Sequence, residues 1–419
     1  MIKKIITKIL IWEAKSAIAR NRPKIIGITG SAGKSSTKEA IAIVLENKFR
    51  VRKSIKSYNS ELGLALAVLG LKTAWHSVAG WIQNVTAGFK EIFNKNFPKI
   101  LVLEMGADRP KDLDALLRTA RPEIGAVTAI GEIPVHVEFF AGPEEVAKEK
   151  SKLVKALSAG DWAVLNYDDE VVWGMREVTR AHVVSFGFGK GADVSASNYS
   201  ASEEGITFKI NFDGAAVPVK LKNVFGRQHV YAALAAATVG LKMNLNLIEI
   251  SGTLNFYKPP PGRLQLIEGI KNTKILDDSY NASPLATHAA LDTLAEFSGR
   301  KIFAFGDMLE LGKFTILAHK AVGERAAKIC DYFITVGPRS KFAVEEAIAQ
   351  GMDKSRVINF STCREAADHL KPLIEEGDLI LVKGSQAMRM ERVVEELMSE
   401  PARASELLCR QDEYWRNKE

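Results

Sequence analysis

Residues 24–37 constrain what this chain can fold into more than any other stretch. The β-branched run Ile25, Ile26, Ile28 and Thr29 ends at Gly30, Ser31, Ala32 and Gly33, and Lys34, Ser35, Ser36 and Thr37 then open a helical pattern. Strand, glycine loop and helix in that order present backbone N–H groups and a helix N-terminus to phosphate. Lys34 would reach the outer phosphates of a bound nucleotide, and the Ser35 hydroxyl would ligate Mg²⁺. The spacing departs from the standard loop, whose first glycine would fall on Ile28, with Gly27 and Gly30 on either side. A plain glycine turn ahead of an exposed lysine is the competing reading; the pattern favours ATP or GTP.

With 419 residues the chain is long for one core and predicts two or three domains. Its 47% hydrophobic and 26% charged residues are those of an ordinary globular protein. The net charge of +7 would attract anions, but no run of Lys and Arg forms a nucleic-acid patch. Cys330, Cys363 and Cys409 are odd in number and far apart, so neither a metal site nor a disulfide framework is expected, and a reducing, cytoplasmic compartment fits. No apolar stretch is long enough to span a bilayer. Residues 1–12 begin like a signal peptide, but Lys8 interrupts the apolar part and the phosphate-loop strand follows almost at once. Ile2, Ile5, Ile6, Ile9 and Trp12 share one helical face, with Lys4, Lys8 and Lys15 roughly opposite. This predicts a helix over residues 1–23 packed on the domain, with weak membrane-surface contact through residues 1–20 as the alternative.

Beyond the loop, Lys38–Phe49 reads as a buried helix, Phe49–Lys53 as an edge strand and Ser57–Gly63 as a polar loop. An apolar helix ends near Leu71. Residues 73–96 form an amphipathic pattern with Trp75, Trp81, Phe89 and Phe93 as anchors. Strands over 99–105, 124–130 and 162–166 alternate with helices over 112–120 and 143–159, which predicts a parallel sheet covered on both faces. Residues 182–222 look like a small antiparallel sheet, and 230–241 like an Ala-rich helix. Pro259, Pro260, Pro261 and Gly262 mark a linker, after which a second α/β series has strands at 274–276, 301–305, 332–336 and 379–382.

Polar residues collect at strand ends. Glu104 closes an apolar strand at the edge where open α/β sheets bind ligands, and it needs a partner such as a metal ion or a helix terminus. His136 follows the next strand and opens onto the same edge; taken alone, a loop histidine is more often unremarkable. Lys150 falls among Val146, Leu153, Val154 and Leu157 on the inward stripe of its helix, while Lys148, Lys152 and Lys155 lie opposite. A lysine buried among aliphatics needs a partner or a changed charge state, unless it snorkels. Arg263 follows the linker. Residues 277–281 (Asp277, Asp278, Ser279, Tyr280, Asn281), 306–312 and 383–385 (Lys383, Gly384, Ser385) end three strands of the second series, and together predict one wall of an interdomain cleft.

These residues resemble the Mur ligases, and within them the MurF branch. Gly27, Gly30 and Gly33 before Lys34 and Ser35 have the family's glycine spacing; Asn59 and Gly63, residues 103–107, Lys148 and Lys150, residues 277–282, 306–312 and 383–385 are similar to its motifs, over roughly 24–398. The resemblance implies an α/β protein: a parallel-sheet P-loop ATPase domain with a small antiparallel sub-sheet (24–261), then a Rossmann-like C-terminal domain (262–419). It implies amide formation through an acyl phosphate, with ATP and Mg²⁺, between a UDP-muramyl peptide and D-Ala-D-Ala, in peptidoglycan synthesis and hence cell-wall biogenesis, cell shape and division. By that resemblance Lys34, Glu104, His136 and Lys150 are catalytic, Lys150 as a carbamate. Ser35, Glu104, His136 and Lys150 hold metal. Gly30, Ser31, Ala32, Gly33, Lys34, Ser35, Ser36, Arg263 and Asp278 bind the nucleotide, and Asn59, Ser279, Tyr280, Asn281 and Lys383 the substrate. A monomer is expected.

Three differences from the family pattern shape the expectations. Only about twenty-two residues stand where MurF members carry a UDP-sugar domain. His229 and Ala232 replace two nucleotide-binding asparagines, and Gln386 an arginine. Alternatives are a Mur-like ligase for another acid and amine, a catalytically weak nucleotide-binding scaffold, and a membrane-docking protein using residues 1–20 and 73–96.

Overall fold

The computed structural model describes residues 2–55 and 58–417. The side chain of Ile2, assigned to the apolar helical face, and Ser57, assigned to the polar loop, lie outside the described residues. Among the described residues fifteen strands form two sheets. The first contains β1 (Lys24–Thr29), β2 (Val51–Lys53), β3 (Ile100–Glu104), β4 (Ile124–Val127), β5 (Trp162–Asn166), β6 (His182–Gly187), β7 (Val194–Ser202), β8 (Gly205–Phe212) and β9 (Ala215–Lys222). Its order is β2-β3-β1-β4-β5-β6-β7-β8-β9. Pairing is parallel from β2 to β7, and antiparallel through β8 and β9.

The second sheet contains β10 (Gln265–Glu268), β11 (Lys274–Asp278), β12 (Lys301–Gly306), β13 (Tyr332–Val336), β14 (Val357–Phe360) and β15 (Leu379–Lys383), ordered β10-β11-β15-β12-β13-β14. Only β10 runs antiparallel to its neighbour. The helices of the first unit are α1 (Ile2–Asn21), α2 (Lys34–Glu46), α3 (Glu61–Leu69), α4 (Val78–Ile92), α5 (Asp112–Thr119), α6 (Pro143–Lys155), the short α7 (Glu170–Trp173), and α8 (Arg227–Lys242) followed by a helix over Leu247–Leu254.

Alternation along β1 and β3 explains why both faces of the first sheet are covered. Ile26, Ile28 and Val102 join a core with Ile41, Val44 and Leu234 on one face, and Ile25, Leu101 and Leu103 join Leu64, Leu66 and Leu153 on the other.

The structure corrects four expectations. Strand β6, assigned to the antiparallel group, extends the parallel sheet beside β5, and only β7 to β9 are antiparallel. The antiparallel strands therefore continue the main sheet instead of forming a separate one. Of the four expected anchors, Trp75 ahead of α4, Phe89 on it and Phe93 just past it are exposed, and only Trp81 packs against the core; Gly88 and Ile92 are the positions α4 buries fully. On α1 the inward face is Leu10, Ala14 and Ala17, with Ile5 and Trp12 outside. Two alanines give α1 a flat face that approaches its neighbours more closely than the isoleucine stripe could. The sequence reading also passed over β10 and β14, which are four residues each and only partly buried.

Glu13 is buried at the seam between α1 and α4, where a Cβ on Gly88 would stand 2.2 Å from its Oε2, and that oxygen has no hydrogen-bond partner among the described residues. Burial pushes its carboxyl up to about 7. The folded state therefore keeps a proton that the unfolded chain releases, so stability falls as pH rises through the interval up to about 7. Glu13→Gln should leave urea stability nearly unchanged at pH 4 and raise it by about 1–2 kcal/mol at pH 8. An equal effect at both pH values would contradict the assignment.

Candidate active site between the two sheets

Strands β3, β1 and β4 are parallel neighbours, so their C-terminal ends share one edge of the sheet. The loop after β1 is pinned to that edge. The N–H groups of Ser31 and Ala32 donate to the Ala129 carbonyl at 2.7 and 3.1 Å, and the Thr128 hydroxyl donates to the carbonyls of Ala32 (2.6 Å) and Thr29 (3.1 Å). Gly30 has φ 144°, and a Cβ there would lie 2.0 Å from Thr128 Oγ1, so no other residue fits. With those two N–H groups occupied, the donors left for an anion are in the first turn of α2, where Lys34, Ser35 and Ser36 lack the i−4 carbonyl of a helix interior. Gly27 has a different task. A Cβ on it would come within 3.1 Å of both Leu153 and Met105, so the glycine lets α6 cross the strand. The residue that made the spacing unusual is a packing position.

Lys34 Nζ donates to the Gly30 carbonyl at 2.8 Å, and burial lowers its pKa. Glu104 pairs in register with Ile28, and its Oε2 accepts the Ser35 hydroxyl at 3.0 Å. Its own N–H donates to Ser54 Oγ at 3.1 Å. Lys150 is 1% exposed on the inward stripe of α6, and no hydrogen bond or ion pair reaches it among the described residues. Burial first, and the Lys34 charge second, pull its pKa down to about 7.

His136 lies at a left-handed backbone position (φ 69°). Its Nε2 is 3.2 Å from Asp108 Oδ1 and its Nδ1 is 2.5 Å from Glu310 Oε2, so the imidazole spans the two units. Glu310 is held below the usual carboxylate range by His136. Asp108 and Glu310 were missed individually: Asp108 stands just past the Glu104 strand end, and Glu310 was seen only as part of residues 306–312.

In the second unit, the Arg263 guanidinium lies 4.2 Å from the centre of the Tyr280 ring. The Arg263 carbonyl is 3.0 Å from His229 Nε2, and Tyr257 Oη is 2.9 Å from His229 Nδ1. A carbonyl can only accept, so Nε2 carries the proton and Tyr257 donates to Nδ1. Burial pushes His229 down to about 4, which keeps the ring neutral. His229 thus faces the linker. Asp278 and Lys383 form a buried pair at 2.5 Å, and Lys383 also donates to the Asn281 carbonyl at 3.0 Å. Burial raises Asp278 and lowers Lys383. Ser279 is buried with its hydroxyl 3.7 Å from Cys409 Sγ.

The two units meet at a cleft of about 290 Å³. The first unit lines it with Ser31 to Lys34, Asn59, Glu104, Asp108 and His136, and the second with Arg263, Tyr280, Asn281 and Gln386. Asn59 packs over Gly106, where a Cβ would stand 2.4 Å from its Nδ2. Of the residues singled out from sequence, Gly30, Ser35, Ser36, Lys150, Asp278, Ser279 and Lys383 do not line this cleft.

Comparison with known proteins gives the following. Residues 83–240 match the Mur ligase middle domain, and 262–386 the Mur ligase, glutamate ligase domain. The chain is 30% identical over 382 residues to the UDP-N-acetylmuramoyl-tripeptide–D-alanyl-D-alanine ligase of Buchnera aphidicola, covering 90% of this chain and 75% of that one. It is 29% identical over 397 residues to the ligase of the same name from Bacillus subtilis, covering 93% and 79%. Among solved structures, MurF from Thermotoga maritima in complex with ADP superposes with a TM-score of 0.77 at 25% identity, over 93% of this chain and 83% of that one. MurF from Acinetobacter baumannii gives 0.78 at 23%, a likeness of fold, over 93% and 79%.

Proposed function

The chain belongs to the Mur ligase family, and on that premise we propose that it is an ATP-dependent ligase joining D-alanyl-D-alanine to the free carboxylate of a UDP-N-acetylmuramoyl-tripeptide, a step of peptidoglycan synthesis. The observation that carries this reading is the cleft in which the phosphate loop of one unit faces Arg263, Tyr280 and Asn281 of the other.

The chemistry sets what the cleft must do. A carboxylate oxygen of the acceptor attacks the γ-phosphorus of ATP, the bond to the bridging oxygen breaks, and ADP leaves. The amine then attacks the acyl carbon, phosphate departs, and the amine nitrogen gives up a proton. Triphosphate and carboxylate are both anions, so cations must stand where they meet. Lys34 supplies one from the head of α2 and Arg263 another from the second unit, with its guanidinium set against Tyr280.

The residues present fit Mg²⁺: the Ser35 hydroxyl and the Glu104 carboxylate, 3.0 Å apart, are the hard oxygen donors this ion takes. His136, on the same cleft, and a carbamate on Lys150 would complete the set. When bound, the ion neutralises charge on the phosphoryl oxygens. Asn59, Tyr280 and Asn281 would position the acceptor, while Lys383 and Asp278, behind them, fix the Asn281 carbonyl.

An acceptor with ¹⁸O in its free carboxylate tests the reaction. The expected products are ADP, the amide and inorganic phosphate carrying one ¹⁸O for each amide formed. Unlabelled phosphate would exclude the acyl-phosphate route, and amide formation with another amine in place of D-alanyl-D-alanine would exclude the proposed substrate.

A further inference from the structure

Helices α1 and α4 lie side by side and run in the same direction: Glu13 abuts Gly88, the Arg20 guanidinium lies 4.7 Å from the centre of the Phe93 ring, and Asn21 donates to the Ile92 carbonyl at 3.3 Å. At about 100° per residue, these contacts orient both helices about their axes. Lys4, Lys8, Trp12 and Lys15 of α1 then face the same side of the pair as Val78, Ile82 and Phe89 of α4 and Phe93 just beyond it. Exposure agrees: Trp12 is 55% exposed, Ile82 62%, Phe89 51% and Phe93 53%, and the three lysines are exposed.

A surface helix usually keeps its apolar stripe for the core; these two helices bury one apolar face each and carry a second set of apolar side chains outside. An apolar stripe this long on the outside marks a partner site. Its charge identifies the partner. The two helices carry only two carboxylates: Glu13 is buried in the seam, and Glu91 pairs with Arg52 at 2.9 Å. The face is therefore apolar and cationic, with no anionic group of its own helices. A second copy docked on it would cover the lysines without bringing a carboxylate from the same face to pair with them.

We propose that this two-helix face docks the protein on an anionic lipid bilayer surface. Phe89, Phe93, Ile82 and Trp12 enter the boundary between headgroups and acyl chains, and Lys4, Lys8 and Lys15 lay their stems along that apolar surface and hold their ammonium groups at the headgroups. Among the described residues no helix is long and apolar enough to cross a membrane, so the contact is interfacial.

Vesicle co-sedimentation of the full chain tests this. Vesicles of phosphatidylcholine with about 30% phosphatidylglycerol should sediment the protein, and pure phosphatidylcholine should retain much less. The exposed double variant Ile82→Ser, Phe89→Ser should lower the partition coefficient about tenfold or more, and Lys4→Glu, Lys8→Glu, Lys15→Glu should remove the preference for the anionic lipid. Circular dichroism of each variant checks that the fold is intact. The proposal is overturned if the unmodified chain stays in the supernatant with anionic vesicles or if both variants bind as it does. It is equally overturned if sizing shows a dimer that the serine variant dissolves, which would give the face to a second copy.

Discussion

Lys34→Ala should lower kcat for amide formation by roughly 10²–10³-fold while leaving the fold intact. In the structure the Lys34 ammonium rests on the Gly30 carbonyl, a contact within its own loop, and the loop is held independently by Ala129 and Thr128. Removing the side chain therefore takes away a charge and not a support. The same burial that lowers the lysine's pKa strengthens its pull on an anion, because little water competes in the cleft. Charge on the leaving ADP grows as the bond to the γ-phosphorus breaks, so the loss should fall more on kcat than on KM for ATP. Steady-state kinetics beside a urea titration separate the two effects. If Lys34→Ala kept most of its turnover at unchanged stability, the loop after β1 would not be where the triphosphate binds.

The placement of Glu104 and Asp278 at strand ends needed only the strand pattern, and that of Lys150 on the buried stripe of α6 only the helical period, although of the three only Glu104 lines the cleft. What could not be read is contact between distant segments. The His136 link to Glu310 joins residues far apart in sequence, and nothing local to either specifies the other. His229 is similar: as a substitution it suggested a weakened nucleotide site, yet its neutral ring ties Tyr257 to the linker carbonyl, a role visible only once α8 is packed. The face of α1 failed for a different reason. Hydrophobicity ranks isoleucine and tryptophan above alanine, whereas close helix packing selected Ala14 and Ala17 and left Trp12 outside. A periodic pattern identifies a helix well, but it names the buried face only when the apolar side is also the one that fits.

Lys150 carries the second large effect. A free ammonium at this position would stand buried near Lys34 with no hydrogen bond or ion pair among the described residues, and burial pulls its pKa down to about 7. The neutral amine therefore dominates above that value, and its fraction falls as pH drops below it. A neutral amine adds CO₂, forming an N–C bond and releasing one proton, and the resulting carbamate replaces a disfavoured cation with an anion beside Lys34. Ligase activity at pH 8 should accordingly decline in CO₂-depleted buffer and return on adding bicarbonate, and the requirement should sharpen below pH 7. Lys150→Ala should reduce kcat by roughly 10²–10³-fold, and Lys150→Glu, which keeps a carboxylate on a shorter stem, should recover part of it. Carbon NMR of the native protein with ¹³C-bicarbonate offers a readout independent of turnover, a carbamate resonance that Lys150→Ala lacks. Absence of that resonance together with indifference to CO₂ would leave Lys150 as a plain buried amine, and the metal would then have to be held by the Ser35 and Glu104 oxygens and a His136 ring nitrogen alone.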